Sequence, residues 1–166
     1  RSWLLFLMLS ATVTQMIMNS YEAALAVMPQ LAGFIPMLTG TGGNCGSQSS
    51  TLVIRGLAVG EIEFKDLFKV IWKEVRIAVC ISLILSVVNG LRILLMGQGD
   101  AMMAFTIGLT MACTVVIAKV VGCTLPLLAK KVGLDPAIMA TPLISTLVDI
   151  STISVYFAIV STAFAL

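Results

Sequence analysis

The sequence predicts an all-α integral membrane protein, and three observations predict it. Hydrophobic residues make up 59% of the 166 residues and charged residues only 11%, where a soluble domain carries about a quarter charged. Charge-free runs recur at lengths close to the roughly 20 residues that cross ~30 Å of hydrocarbon. Lys and Arg then collect on one side of the resulting spans. The mean hydropathy of +1.08 excludes disorder, which needs low hydrophobicity. A net charge of +2 supplies no basic field for nucleic acid.

Five transmembrane helices fit. The first covers about 3–20 of a charge-free run. The second covers 23–54 and is long and broken. The segment 61–76 follows, in which Ile62, Leu67, Ile71 and Val75 recur at helical spacing beside Phe64, Phe68 and Trp72, with Lys65, Lys69, Lys73 and Arg76 on another face. Its first part, 61–69, reads as an amphipathic helix lying in the interface. The third span covers 69–95, the fourth 101–129 and the fifth 136–165. Asp135 before Pro136 is the pattern of an N-cap followed by proline at the first helical position.

Orientation follows from the cations. With the N-terminus cytoplasmic, Arg1, Arg55, Lys65, Lys69, Lys73, Arg76, Lys130 and Lys131 lie inside and Arg92 alone lies outside, which leaves the C-terminus outside. Trp3 and Trp72 then fall at the inner interface. Arg1, where an initiating Met would stand, reads as the start of a fragment lacking an upstream cytoplasmic part. A cleaved signal peptide is disfavoured, because the chain from Trp3 onward has to span.

Two polar stripes interrupt the apolar background. In the second span Thr41, Asn44, Gln48 and Thr51 step by three or four residues, with Ser47 on the flank, so one helix face is polar. Gly40, Gly42, Gly43 and Gly46 in the same segment allow close helix approach or an unwound backbone, which is tolerated at membrane depth only against protein or water. Helix packing accounts for these glycines but not for the two amides, so Asn44, Ser47, Gln48 and Thr51 are read as pore-lining. A phosphate loop is excluded, since no Lys occupies the required position after the glycines. In the fifth span Thr141, Ser145, Asp149 and Thr152 form the second stripe, beside the helix-breaking Pro142.

Asp149 is the most informative residue. A carboxylate well inside a span costs about 2.5–3.5 kcal/mol to insert and is too short to reach the interface, so it is a functional candidate. Lys119 is its nearest candidate cation, but helix rise places Lys119 toward the inner side, where it is expected to extend its amine to the interface. A single carboxylate is a poor site for a divalent ion. A symmetric dimer brings two copies of Asp149 together, as cation pores do with acidic rings. Mg²⁺ keeps its waters and prefers hard oxygen, so carboxylates assisted by the main-chain carbonyl of Ser145 suit it. The chain has four cysteines in no metal-binding spacing and no histidine, which disfavours a disulfide framework and a Zn²⁺ or Cu⁺ site. Glu22 and Asp100, at the outer ends of spans, read as ordinary interface charges.

The run Pro36…Gly-Thr-Gly-Gly-Asn-Cys-Gly-Ser-Gln-Ser-Ser-Thr-Leu-Val-Ile-Arg-Gly-Leu-Ala-Val-Gly-Glu-Ile62 resembles the MgtE family of magnesium channels. So does Gly133-Leu-Asp-Pro-Ala followed by Pro142-Leu-Ile-Ser-Thr-Leu-Val-Asp149. The resemblance spans the whole chain as that family's five-helix transmembrane domain, and the eukaryotic solute carrier family 41 is similar. It implies a homodimer in the plasma membrane whose pore is lined by the second and fifth helices. It also implies a hydrated Mg²⁺ held at Asp149 with the Ser145 carbonyl, and an inner pore lined by Asn44, Ser47, Thr51 and Thr141. Thr141 and Ser145 depart from the residue types expected of bacterial relatives. The cytoplasmic N-domain and CBS pair that sense Mg²⁺ in the family are not in this chain.

The expected function is therefore Mg²⁺ transport through a dimeric, cation-selective pore. A coupled exchanger, for instance with Na⁺, is the alternative. It would call for a second buried acid, and none stands out at the depth of Asp149. A membrane-embedded hydrolase is disfavoured, since histidine is absent and Ser47 has no nucleophile-elbow setting; the chain is not read as an enzyme.

Overall fold

A computed structural model describes the backbone of residues 2–165 and, within these, the side chains of all but residues 2–4, 6 and 138–141. Trp3 and Thr141 thus lie outside the described side chains. Among the described residues every regular element is helical: α1 (Ser2–Ser20), α2 (Glu22–Val27), α3 (Gln30–Ala58), a 3₁₀ turn (Phe64–Asp66), α4 (Leu67–Leu95), α5 (Ala101–Lys131) and α6 (Pro136–Phe164). Three stretches among them are long and apolar enough to cross a bilayer: Phe64–Leu95, Ala101–Lys131 and Pro142–Phe164. Leu83, Ile84, Val87 and Phe105 are each at least 60% exposed. So large an apolar surface suits lipid rather than water.

The stretch expected as one broken helix at 23–54 is two helices. Pro29 lacks an N–H and disfavours helical geometry in the residue before it; Met28 accordingly sits at φ −130°, ψ 77° and ends α2. Beyond the break α3 stays helical through Pro36 and through Gly40, Gly42, Gly43 and Gly46, so the glycines do not unwind it.

The connection to α4 differs from the expected interfacial helix. The amides of Glu61 and Ile62 both bond the Gly56 carbonyl, and the Ile62 side chain lies on Gly56. That fold-back leaves room only for the 3₁₀ turn, closed by reciprocal Glu63 and Asp66 bonds. Leu67 already begins α4, so Phe68 and Trp72 form an exposed aromatic face on its first turns. Lys131, ending α5, places its ammonium 4.2 Å from the Phe64 ring centre.

Helix ends follow their sequence signals. Asp100 accepts from the Met103 amide at 2.8 Å and Asp135 from the Ala137 amide at 2.9 Å; each such cap is worth about 1 kcal/mol. Gly97 and Gly133 have φ of +63° and +76°. They close α4 and α5 through paired bonds from Gly97 and Gln98, and from Gly133 and Leu134, back to the last turn.

Helix α5 is the centre, packed on α3, α4 and α6, while α3 also packs on α6 and α1 on α6. The core joins Leu31 and Leu38 of α3, Ile107, Met111 and Val115 of α5, and Ile144, Val148, Tyr156 and Phe157 of α6. Tyr156 anchors it by donating to the Leu31 carbonyl at 2.9 Å, and Tyr21 stacks on Phe157 with ring centres 4.3 Å apart.

Two glycines of α3 are required by this packing. A methyl at Gly42 would meet Val148 at 2.7 Å and Thr114 at 2.8 Å, and one at Gly46 would meet Ile144 at 2.8 Å. Across from Gly46, Gly122 of α5 lies directly against the Gly46 main chain. Small residues spaced by four on one helix, meeting a glycine on the next, bring the backbones together. Gly40 and Gly43 face open space, so packing within the chain does not require them.

Candidate functional site

The close contact of Gly42 and Gly46 with α5 and α6 fixes which face of α3 remains outside. That face carries Asn44, Ser47, Gln48 and Thr51, which with Leu52 line an open concavity of about 590 Å³. Asn44, Gln48 and Thr51 are exposed and Ser47 is half-buried. Thr51 returns its hydroxyl to the Ser47 carbonyl at 2.9 Å, which fixes its side-chain position on the wall. Thr41, the first residue of the stripe, bonds its own helix at the Met37 carbonyl, 2.7 Å away, and is not part of the concavity. The structure thus brings together the four pore-lining candidates described on α3.

On α6 the second stripe divides. Thr152 is buried, 2% exposed, beside Gly42. Ser145 and Asp149 are half-buried, one turn apart and flanking Val148, which faces α3. Neither is among the residues lining the α3 concavity. Asp149 has no ion-pair or hydrogen-bond partner among the described residues, and no cluster of three potential metal-ligating His, Cys, Asp or Glu side chains forms among them. Pro142 lies within α6 without ending it, and Thr146 of the next turn bonds the Pro142 carbonyl at 2.9 Å and approaches Ser10 of α1 at 3.2 Å.

Lys119 does not reach the interface as expected. It is 4% exposed and pairs with Glu74 of α4, Nζ to Oε2 at 3.1 Å. Ser49 of α3 completes the group, donating to the same Glu74 oxygen at 2.5 Å and accepting from Lys119 at 3.0 Å. Glu74 is a second buried acid, 5% exposed, and it falls within the amphipathic segment 61–76 without belonging to its basic face. The signal that could have found it is its position: Glu74 is an acid among Lys69, Lys73 and Arg76, aligned with Leu67, Val70 and Ile71 on the side of α4 that faces the protein.

A helical bundle with lipid-suited faces, a polar wall on one helix and, inside another, a carboxylate with no partner among the described residues defines the class: a multi-pass integral membrane protein of the cell membrane. Its sequence places it further. The family model for MgtE, described as a divalent cation transporter, matches residues 35–159, and the chain belongs to that family. It is 35% identical over 161 residues to the magnesium transporter MgtE of Thermus thermophilus, covering 95% of this chain and 34% of that protein. It is 35% identical over 162 residues to the magnesium transporter MgtE of Bacillus subtilis, covering 98% of this chain and 36% of that protein. The Enterococcus faecalis magnesium transporter MgtE is 33% identical over 162 residues, covering 96% and 35%. The chain therefore spans about a third of the length of these relatives.

Proposed function

We propose that this chain is the membrane domain of a Mg²⁺ channel, a homodimer of the plasma membrane with five spans per chain, N-terminus inside and C-terminus outside. Asp149 from both subunits holds a hydrated Mg²⁺ at the dimer axis, with the main-chain carbonyl of Ser145 assisting. Asn44, Ser47, Gln48 and Thr51, together with Thr141, line the inner part of the path. Mg²⁺ is the transported substrate, and cytoplasmic regulatory domains are expected partners.

The observation that carries this reading is the carboxylate of Asp149. It lies inside an apolar span without a cation partner among the described residues, while Lys119, the nearest candidate in the sequence, is committed to Glu74. An unneutralised acid at that depth is costly unless an ion or water reaches it. Two such acids facing each other attract a divalent ion strongly, and oxygen ligands with retained water suit Mg²⁺. The membrane potential, worth about 2.3 kcal/mol per charge per 100 mV, acts on both charges of the ion. Inward flow then needs no coupled ion. The exchanger reading asks for a second acid free to bind, and Glu74 is already neutralised by Lys119.

The test is Mg²⁺ flux into vesicles under an applied potential, comparing the protein with its Asp149→Asn variant. Potential-dependent flux that disappears in the variant supports the channel. Undiminished flux in the variant moves the ion site elsewhere, and flux that follows a Na⁺ gradient rather than the potential favours the exchanger.

A further inference from the structure

Ser49, Glu74 and Lys119 are at most 5% exposed and come from three different helices, α3, α4 and α5. One oxygen of Glu74 accepts from both the Ser49 hydroxyl and the Lys119 ammonium, and Lys119 also donates to Ser49. A buried ion pair is a weak source of stability, because desolvation offsets the attraction and an apolar pair of similar size serves as well. What the polar group supplies and an apolar pair does not is direction.

Elsewhere on α3 a directed contact comes from Tyr156, which donates to the Leu31 carbonyl about 27 Å along the helix from Ser49. At Gly42 and Gly46 the contacts with α5 and α6 are methyl groups of Val148, Thr114 and Ile144 seated on bare glycine, which fit by shape. Val53, one turn beyond Ser49, packs against Cys123 and Leu127, but apolar contact tolerates rotation. Ser49 follows Gln48 directly, and Ser47, Gln48 and Thr51 all line the concavity. Each helical residue turns the chain by about 100°, so holding Ser49 inward fixes the direction in which Gln48 and Thr51 point.

We infer that Ser49, Glu74 and Lys119 form a polar lock that sets the rotation of α3 and so aims the Gln48 amide and Thr51 hydroxyl into the ion path. They are positioning residues: none lines the concavity on α3, and the lock selects among ions only through the wall it orients. The inference rests on the reading of the α3 stripe as pore lining, and the experiment separates the two.

The experiment uses the full-length protein in vesicles, with Cys at position 48 and a charged, membrane-impermeant thiol reagent whose adducts are mapped by peptide mass. The rate at residue 48 is read alongside the ratio of Mg²⁺ to Ca²⁺ flux in matching proteins that retain Gln48. In the Gln48→Cys protein, residue 48 should be modified readily. Adding Glu74→Met and Lys119→Met together removes the lock without leaving a buried charge, so the protein should fold. Modification at 48 should then slow about tenfold and the flux ratio shift, a coupling of the size that remote packed residues exert. The exchanged pair Glu74→Lys with Lys119→Glu, which Ser49 can still bridge, should recover part of both. A folded Met–Met protein with unchanged modification rate and flux ratio overturns the lock and leaves the pore reading intact. No modification at 48 in the protein with its lock intact removes the pore reading and the inference with it.

Discussion

Two carboxylates on spans, Glu74 and Asp149, are handled in opposite ways. Glu74 sits where α3, α4 and α5 converge, with a lysine at 3.1 Å and a serine hydroxyl at 2.5 Å. Asp149, on the half-buried side of α6, has neither kind of partner among the described residues. Both are carboxylates on apolar helices, and Asp149 is the less buried of the two. Their surroundings set them apart. A group the protein neutralises for itself is spent on its own architecture, whereas one left unneutralised has its attraction available to something that arrives from outside.

Removing one partner of the neutralised site should cost most. Lys119→Met strands Glu74 in the interior, and breaking a buried pair in this way costs about 3–5 kcal/mol. Thermal unfolding in detergent should show a large fall in midpoint for this variant and a much smaller one for the Met–Met double variant. Equal losses in both would mean that packing, rather than charge, dominates at that point.

Asp149→Asn should reverse the pattern. Flux of Mg²⁺ is expected to fall at least a hundredfold, equivalent to about 2.7 kcal/mol, with an unfolding midpoint equal to or above that of the parent. A large drop in midpoint would place Asp149 in the same structural category as Glu74.

Gly122→Ala tests the wall on which both depend. Its new methyl would strike the Gly46 main chain, and overpacking of this kind costs about 1–3 kcal/mol. Loss of folded yield, measured by size-exclusion chromatography, should accompany it.

Gly43→Ala should have the smallest effect. Nothing lies within 4 Å of the added methyl, and alanine is favoured over glycine in a helix by about 1 kcal/mol. An unchanged or raised midpoint is expected from the chain itself. A loss of dimer in cross-linking, with the midpoint preserved, would show that the second subunit approaches at Gly43.

The polar wall was legible in the sequence because its residues share one helix: spacings of three and four place Asn44, Ser47, Gln48 and Thr51 on one face before any neighbour is known. The Asp135 cap was legible for the same local reason. The Glu74–Lys119 pair was not. It joins residues on different helices, and each carried a plausible local explanation, Glu74 as part of a charged amphipathic run and Lys119 as a long side chain able to reach the interface. Only the packing of α4 against α5 decides between those explanations and an ion pair. The turn at 61–69 was misread in a related way. Its amphipathic pattern is real, but the Gly56 carbonyl captures two amides from it, a backbone event that periodicity does not register.

The meeting of Gly46 with Gly122 has a mechanical consequence. Where two helices touch backbone to backbone, as at this pair of glycines, there is no gap left to close and no side-chain tooth to hold them in register at that point. Such a seam is stiff against compression and slippery along its length. Displacements of α3 against α5 near that line are therefore easiest as gliding and turning, and the catch that opposes both there is the shared oxygen on Glu74, with Val53 against Cys123 and Leu127 beside it.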